Sequence, residues 1–113
     1  LRNWVRKRFV SELTIIELYS VFSRRMRLTN IEVDALVRYT LRKTNVEKLS
    51  IKWGKVFKQA TRYANELKLK SLDLLHVTTA NLSNCRIFIT FDKDILERSV
   101  IIKEKLGLEI RDY

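Results

Sequence analysis

Four carboxylates have local contexts that suit joint chemistry. Asp73 lies in Ser71-Leu72-Asp73-Leu74-Leu75-His76, near the start of an expected helix. Asp92 and Asp94 follow Ile87-Phe88-Ile89-Thr90, an apolar run that reads as a buried strand. Glu17 falls early in another expected helix, one that also follows a strand. In a parallel sheet, strand C-termini and the N-termini of the following helices share one edge, where ligands collect. The four acids can therefore converge despite their separation along the chain. Their hard oxygens suit Mg²⁺ or Mn²⁺; Mg²⁺ keeps several waters, while one or two carboxylates and substrate phosphates complete its shell. Such an ion lowers the pKa of a bound water, orients it and neutralises charge on the attacked phosphate. The predicted chemistry is metal-assisted phosphodiester hydrolysis, with Glu17, Asp73, Asp92 and Asp94 as catalytic and metal-holding residues.

The charge balance fits a polyanionic partner. Lys and Arg number 23 against 13 acids, a net charge of +10, which biases association towards nucleic acid or an acidic partner. Arg24, Arg25, Lys55 and Lys58 would offset the repulsion between acids and RNA. Other chemistries lack their residues. There is no His and Cys cluster with zinc spacing, and two glycines cannot build a Gly-rich phosphate cradle. The single Cys85 forms no intrachain disulfide and fits a reducing cytoplasm. No apolar run approaches the roughly 18 residues that span a bilayer, so a soluble cytoplasmic protein is expected, without a membrane partner.

Each acid also has a plain structural use. Glu17 can close a capping box with Thr14, Asp73 can complement a helix dipole, Asp92 can be an N-cap and Asp94 a first-turn acid. His76, one turn from Asp73, reads as a half-buried structural histidine, and Thr90 can position Asp92.

The elements that must position these residues follow from pattern. Phe9-Val10-Ser11 reads as a short strand. Thr14 caps a helix to about Arg25, with Ile15, Leu18, Val21 and Phe22 inward. A second capping box, Thr29 with Glu32, opens a helix to about Arg42, with Val33, Leu36, Val37 and Leu41 inward. Val46 to Ile51 is a weaker strand. Trp53, Val56, Phe57, Ala60, Tyr63, Ala64 and Leu67 form a helical stripe, with Lys55, Lys58, Arg62 and Lys68 mostly outward. Ser71 caps a helix from Leu72 to about Leu82; Arg86 to Thr90 is a strand, Lys93 to about Arg98 a short helix, and Leu108 to Arg111 a last strand. Helices alternating with β-rich runs that lack period-2 patterning predict an α/β fold, a parallel sheet covered on both faces. Residues 1–113 read as one domain.

Three segments carry a family resemblance. Ser11-Glu12-Leu13-Thr14-Ile15-Ile16-Glu17-Leu18 resembles the segment bearing the helix glutamate of PIN-domain nucleases. Leu69-Lys70-Ser71-Leu72-Asp73-Leu74-Leu75-His76 resembles that of their next acid, and Ile89-Thr90-Phe91-Asp92-Lys93-Asp94 their strand-end motif. Similarity is closest to small VapC-like members of prokaryotic toxin–antitoxin pairs. The resemblance implies a Rossmann-like sheet and a Mg²⁺- or Mn²⁺-dependent endoribonuclease, commonly a homodimer and often held inactive by an antitoxin. Glu17, Asp73 and Asp92 would be the matching acids and Asp94 an accessory ligand. Family members begin with a central strand ending in an aspartate. Nothing before Phe9 matches it; Asn3 is the nearest polar candidate to stand in for that ligand, and its context is wrong. An N-terminally incomplete PIN-like domain is therefore expected, with the endoribonuclease activity expected of the full-length protein and a much weaker one of this chain. Two rival readings stay open: a non-catalytic PIN-like module that binds RNA or protein, and a structural domain whose acids are caps.

Overall fold

A computed structural model describes residues 8–112 of the chain. Asn3, weighed above as a stand-in for a first-strand ligand, lies outside the described residues. The chain divides into two compact units, one ending at Ser50 and the other beginning at Ile51. In each, two short parallel strands are joined through two helices. Parallel neighbours need a crossover of a dozen or more residues, which explains why helices intervene.

The N-terminal unit runs β1 (Phe9–Val10), α1 (Glu12–Arg25), α2 (Asn30–Thr44) and β2 (Glu47–Lys48). Phe9 pairs with Glu47 and Val10 with Lys48. The Glu47 and Leu49 amides donate to the Arg8 and Val10 carbonyls at 2.9 and 2.8 Å. Helix α1 does not start at Thr14. Ser11 is its N-cap, accepting from the amides of Leu13 (3.1 Å) and Thr14 (3.4 Å). The reason is local: the chain leaves β1 extended at Ser11 (φ −93°, ψ 167°), the backbone an N-cap needs. Glu17 therefore sits in the second turn and closes no capping box. The Thr29–Glu32 box forms as expected, with both reciprocal bonds present. The Thr29 amide holds the Glu32 carboxyl below its ordinary range.

The inward face expected for α1 is only half-buried, and no α1 residue is fully buried; α2 buries Val33 and Val37. A polar clasp links the two helices. The Tyr19 hydroxyl donates to Asp34, whose other oxygen accepts from Arg38 Nε at 2.9 Å.

The C-terminal unit runs α3 (Trp53–Leu67), α4 (Ser71–Leu82), β3 (Ile87–Thr90), α5 (Lys93–Glu97), α6 (Ser99–Leu106) and β4 (Glu109–Asp112). Its core joins Ala60, Leu67, Leu74, Val77, Ala80, Ile95, Ile102 and Leu108. The α3 stripe is narrower than expected: Val56, Ala60 and Leu67 are buried, but Phe57 is 54% exposed. Lys68 ends α3 in the left-handed region (φ 55°), its amide bonding the Ala64 carbonyl. The N-cap of α4 is Lys70, without a side-chain bond, and Ser71 is already helical. Helix α6 is additional to the expected elements. Its run Val100-Ile101-Ile102 lacks helical spacing, yet Ile102 is wholly buried.

One parallel sheet was expected through Phe9, Arg86 and Leu108. The described residues instead form two separate parallel pairs, β1–β2 and β3–β4. Strand β1 takes its backbone partners from the weaker 46–51 segment, which contributes just Glu47–Lys48. β3 and β4 pair over four residues, from Ile87 opposite Glu109 to Thr90 opposite Asp112.

Candidate metal centre

Asp73, Asp92 and Asp94 come together in the C-terminal unit. Each offers a carboxylate oxygen, and these oxygens lie within 4.8 Å of one another. Asp73 is half-buried in the first turn of α4, beside the core residue Leu74. Asp92 and Asp94 are exposed at the β3–α5 turn.

The turn is held by its own side chains. Thr90, the last residue of β3, accepts the Asp92 amide on Oγ1 at 3.0 Å. Asp92 then caps α5, its Oδ1 accepting from the amides of Asp94 (2.8 Å) and Ile95 (3.3 Å). Ile95 is buried in the core, so the capped turn is anchored from below. Register with β4 fixes the strand end. The cap role considered for Asp92 is thus real, and it leaves the carboxylate a second oxygen. Lys70 Nζ lies 3.9 Å from Asp94, in an exposed ion pair that contributes little to stability.

Three ionised carboxylates this close repel one another, and a cation relieves the repulsion. The donor set is all oxygen and largely open to water, so waters could complete a shell round a hard divalent ion. No soft ligand takes part. Cys85 is packed against the core, and burial pushes its thiol up, away from nucleophilic chemistry. His76 is half-buried, its ring 6.5 Å from that of Phe88.

The fourth expected acid, Glu17, is placed by the N-terminal unit, half-buried in the second turn of α1. One residue beside the cluster, Lys70, lies outside the sequence reading. Lys70 had no signal beyond one more lysine in a basic chain.

A PIN domain profile matches residues 1–100. The chain belongs to the PIN domain family. Comparison with curated proteins and with solved structures gives no significant match. PIN domains are generally metal-dependent nucleases that act on nucleic acid, and the acid cluster is the feature here that fits such a metal. In fold, this PIN domain is rich in helix, with small parallel sheets. Among the described residues no helix is long and apolar enough to cross a membrane.

Proposed function

We propose that this PIN domain is an endoribonuclease that hydrolyses single-stranded RNA with Mg²⁺ or Mn²⁺. The observation that carries the reading is the approach of the Asp73, Asp92 and Asp94 oxygens to within 4.8 Å. Glu17 belongs to the same set on the strength of its segment's likeness to the family glutamate. The profile match runs through both compact units, which supports reading residues 1–113 as parts of a single PIN domain.

Asp73, Asp92 and Asp94 would hold the ion through carboxylate oxygens, and Glu17 is proposed as a further catalytic and metal-holding acid from its segment's likeness alone. When bound, the ion supplies charge neutralisation at the scissile phosphate and an activated water. Thr90 fixes the backbone of Asp92, so that residue keeps its place while its carboxylate is engaged. Lys70 puts a positive charge at the rim, where it offsets repulsion of an incoming phosphate. The net charge of +10 draws in the rest of the strand. In its cellular role we read the protein as the toxin of a toxin–antitoxin pair: cytoplasmic, homodimeric and restrained by an antitoxin protein.

The test is cleavage of single-stranded RNA in Mg²⁺ or Mn²⁺ and in EDTA. Asp73→Asn and Asp92→Asn should each lower turnover by about 100-fold or more. Groups that merely support a metal ligand already cost 10- to 100-fold when lost. Retention of wild-type turnover by both variants would reduce these acids to helix caps and leave a binding module.

A further inference from the structure

At the opposite end of α4 from the acid cluster lies a second charged feature. Lys55, Lys58 and Arg62 line a pocket of about 300 Å³ with Gln59 and Leu82. At 100° per residue, the three cations and Gln59 occupy roughly a 100° arc of α3, set apart from the buried stripe of Val56, Ala60 and Leu67. The floor is fixed by hydrogen bonds. Gln59 Nε2 donates to Asn81 Oδ1 at 3.3 Å, and Asn81 Nδ2 donates to the Leu106 carbonyl at 3.0 Å. Helices α3, α4 and α6 thus share one polar chain beneath exposed cations.

These cations are not used for internal pairing. None of the ion pairs among the described residues involves Lys55, Lys58 or Arg62. The nearest acid along the same face, Glu66, is taken by Lys105 at 2.9 Å. Arg62 lies over the Tyr63 ring at 5.7 Å, which braces its guanidinium without neutralising it. Three like charges on one helix face cost stability unless an anion meets them.

We propose that this pocket is an exosite for the phosphodiester backbone of the RNA strand, separate from the acid cluster. The ligand class rests on the nuclease reading. The geometry comes from the C-terminal unit alone. Leu82 at the pocket follows Asp73 by nine helical residues, about 13.5 Å along the axis of α4. A strand long enough to cross that distance meets both features, and a shorter one meets only the acids. The exosite therefore sets affinity for length, and it contacts phosphates rather than bases.

The experiment is binding of a fluorescein-labelled oligouridylate to the 113-residue protein in EDTA, titrated with salt and read by anisotropy. A single strand loses about 0.7 in the slope of log K against log salt for each phosphate contact removed. The variant Lys55→Gln/Lys58→Gln/Arg62→Gln should therefore flatten the slope by about two. Lys55→Arg/Lys58→Arg, which keeps the charge, should leave it unchanged, and circular dichroism checks that both remain folded. An unchanged slope in the Gln variant overturns the exosite. So does polyglutamate competing as well as RNA at equal charge, because the surface would then suit an acidic protein. Cleavage by the wild-type protein is scored separately with Mg²⁺. A flattened slope without cleavage keeps the exosite and overturns the nuclease reading for this chain, and cleavage with an unchanged slope does the reverse.

Discussion

The two compact units are stabilised by different means. The C-terminal unit has a continuous core of eight buried apolar residues drawn from its helices and from Leu108. The N-terminal unit fully buries only Val33, Val37 and Ser11 among its described residues, and α1 buries nothing apolar completely. Beside that limited burial, directional contacts hold α1 and α2: a Ser11 cap, a reciprocal box at Thr29 and the Tyr19–Asp34–Arg38 clasp. Chemistry follows the same division. The acids that converge do so where Leu74 and Ile95 fasten their helices into the core. A metal site needs ligands held to within fractions of an ångström, and packing supplies that better than surface polar contacts.

Core truncation should break the comparison most sharply. Leu67 is wholly buried, so Leu67→Ala should cost about 2–5 kcal/mol through lost transfer energy and an incompletely filled cavity. Ile16 on α1 is 63% exposed, so Ile16→Ala should stay within about 0.5 kcal/mol. Urea midpoints measure both. Equal losses at the two positions would mean that the N-terminal unit depends on burial as much as its neighbour does.

Legibility in the sequence follows the same line. The Thr29 box, the Trp53–Leu67 helix and the Asp92 cap were readable because spacing and local chemistry decide them. The start of α1 was not, because two hydroxyls compete and the end of β1 gives the cap to Ser11. Helix α6 was hidden because burial of Ile102 against α3 and β4 neighbours is a tertiary effect. Sheet partnership was hidden too, since two-residue strands such as β1 and β2 carry almost no pattern. In the site, the rule of strand ends covers Asp92 and Asp94 after β3, whereas Asp73 stands on α4, which follows α3 rather than a strand, and it meets them only through tertiary packing, as Lys70 does.

A smaller effect separates the cap at the site from its chemistry. Asp92 Oδ1 receives two amides, and Asn serves an N-cap about as well as Asp, while Ala costs roughly 0.5–2 kcal/mol. Asp92→Ala should therefore lower the thermal midpoint, and Asp92→Asn should leave it close to wild type. Destabilisation by Asn equal to that by Ala would show that the charge, not the hydrogen-bonding oxygen, maintains this turn.

The smallest effect concerns the N-terminal clasp and depends on pH. The Tyr19 hydroxyl and Arg38 hold the Asp34 carboxyl below its ordinary range, and bonding to Asp34 raises the Tyr19 hydroxyl above its own. A depressed carboxyl adds stability above its unfolded value, about 3.9, and loses it as pH falls through the lower folded value. A raised phenol adds stability below about 10 and loses it as pH climbs through its higher folded value. The clasp should work between these limits. Asp34→Asn, which keeps an acceptor but no charge, should be less stable than wild type at neutral pH, and the gap should close on acidification through the Asp34 range. Amide exchange along α1 and α2 reads this locally, since weakly packed elements open below the global limit. Exchange that differs from wild type by the same amount at neutral and strongly acidic pH would assign the clasp to shape rather than charge. The N-terminal unit would then resemble the C-terminal one more closely than its burial implies.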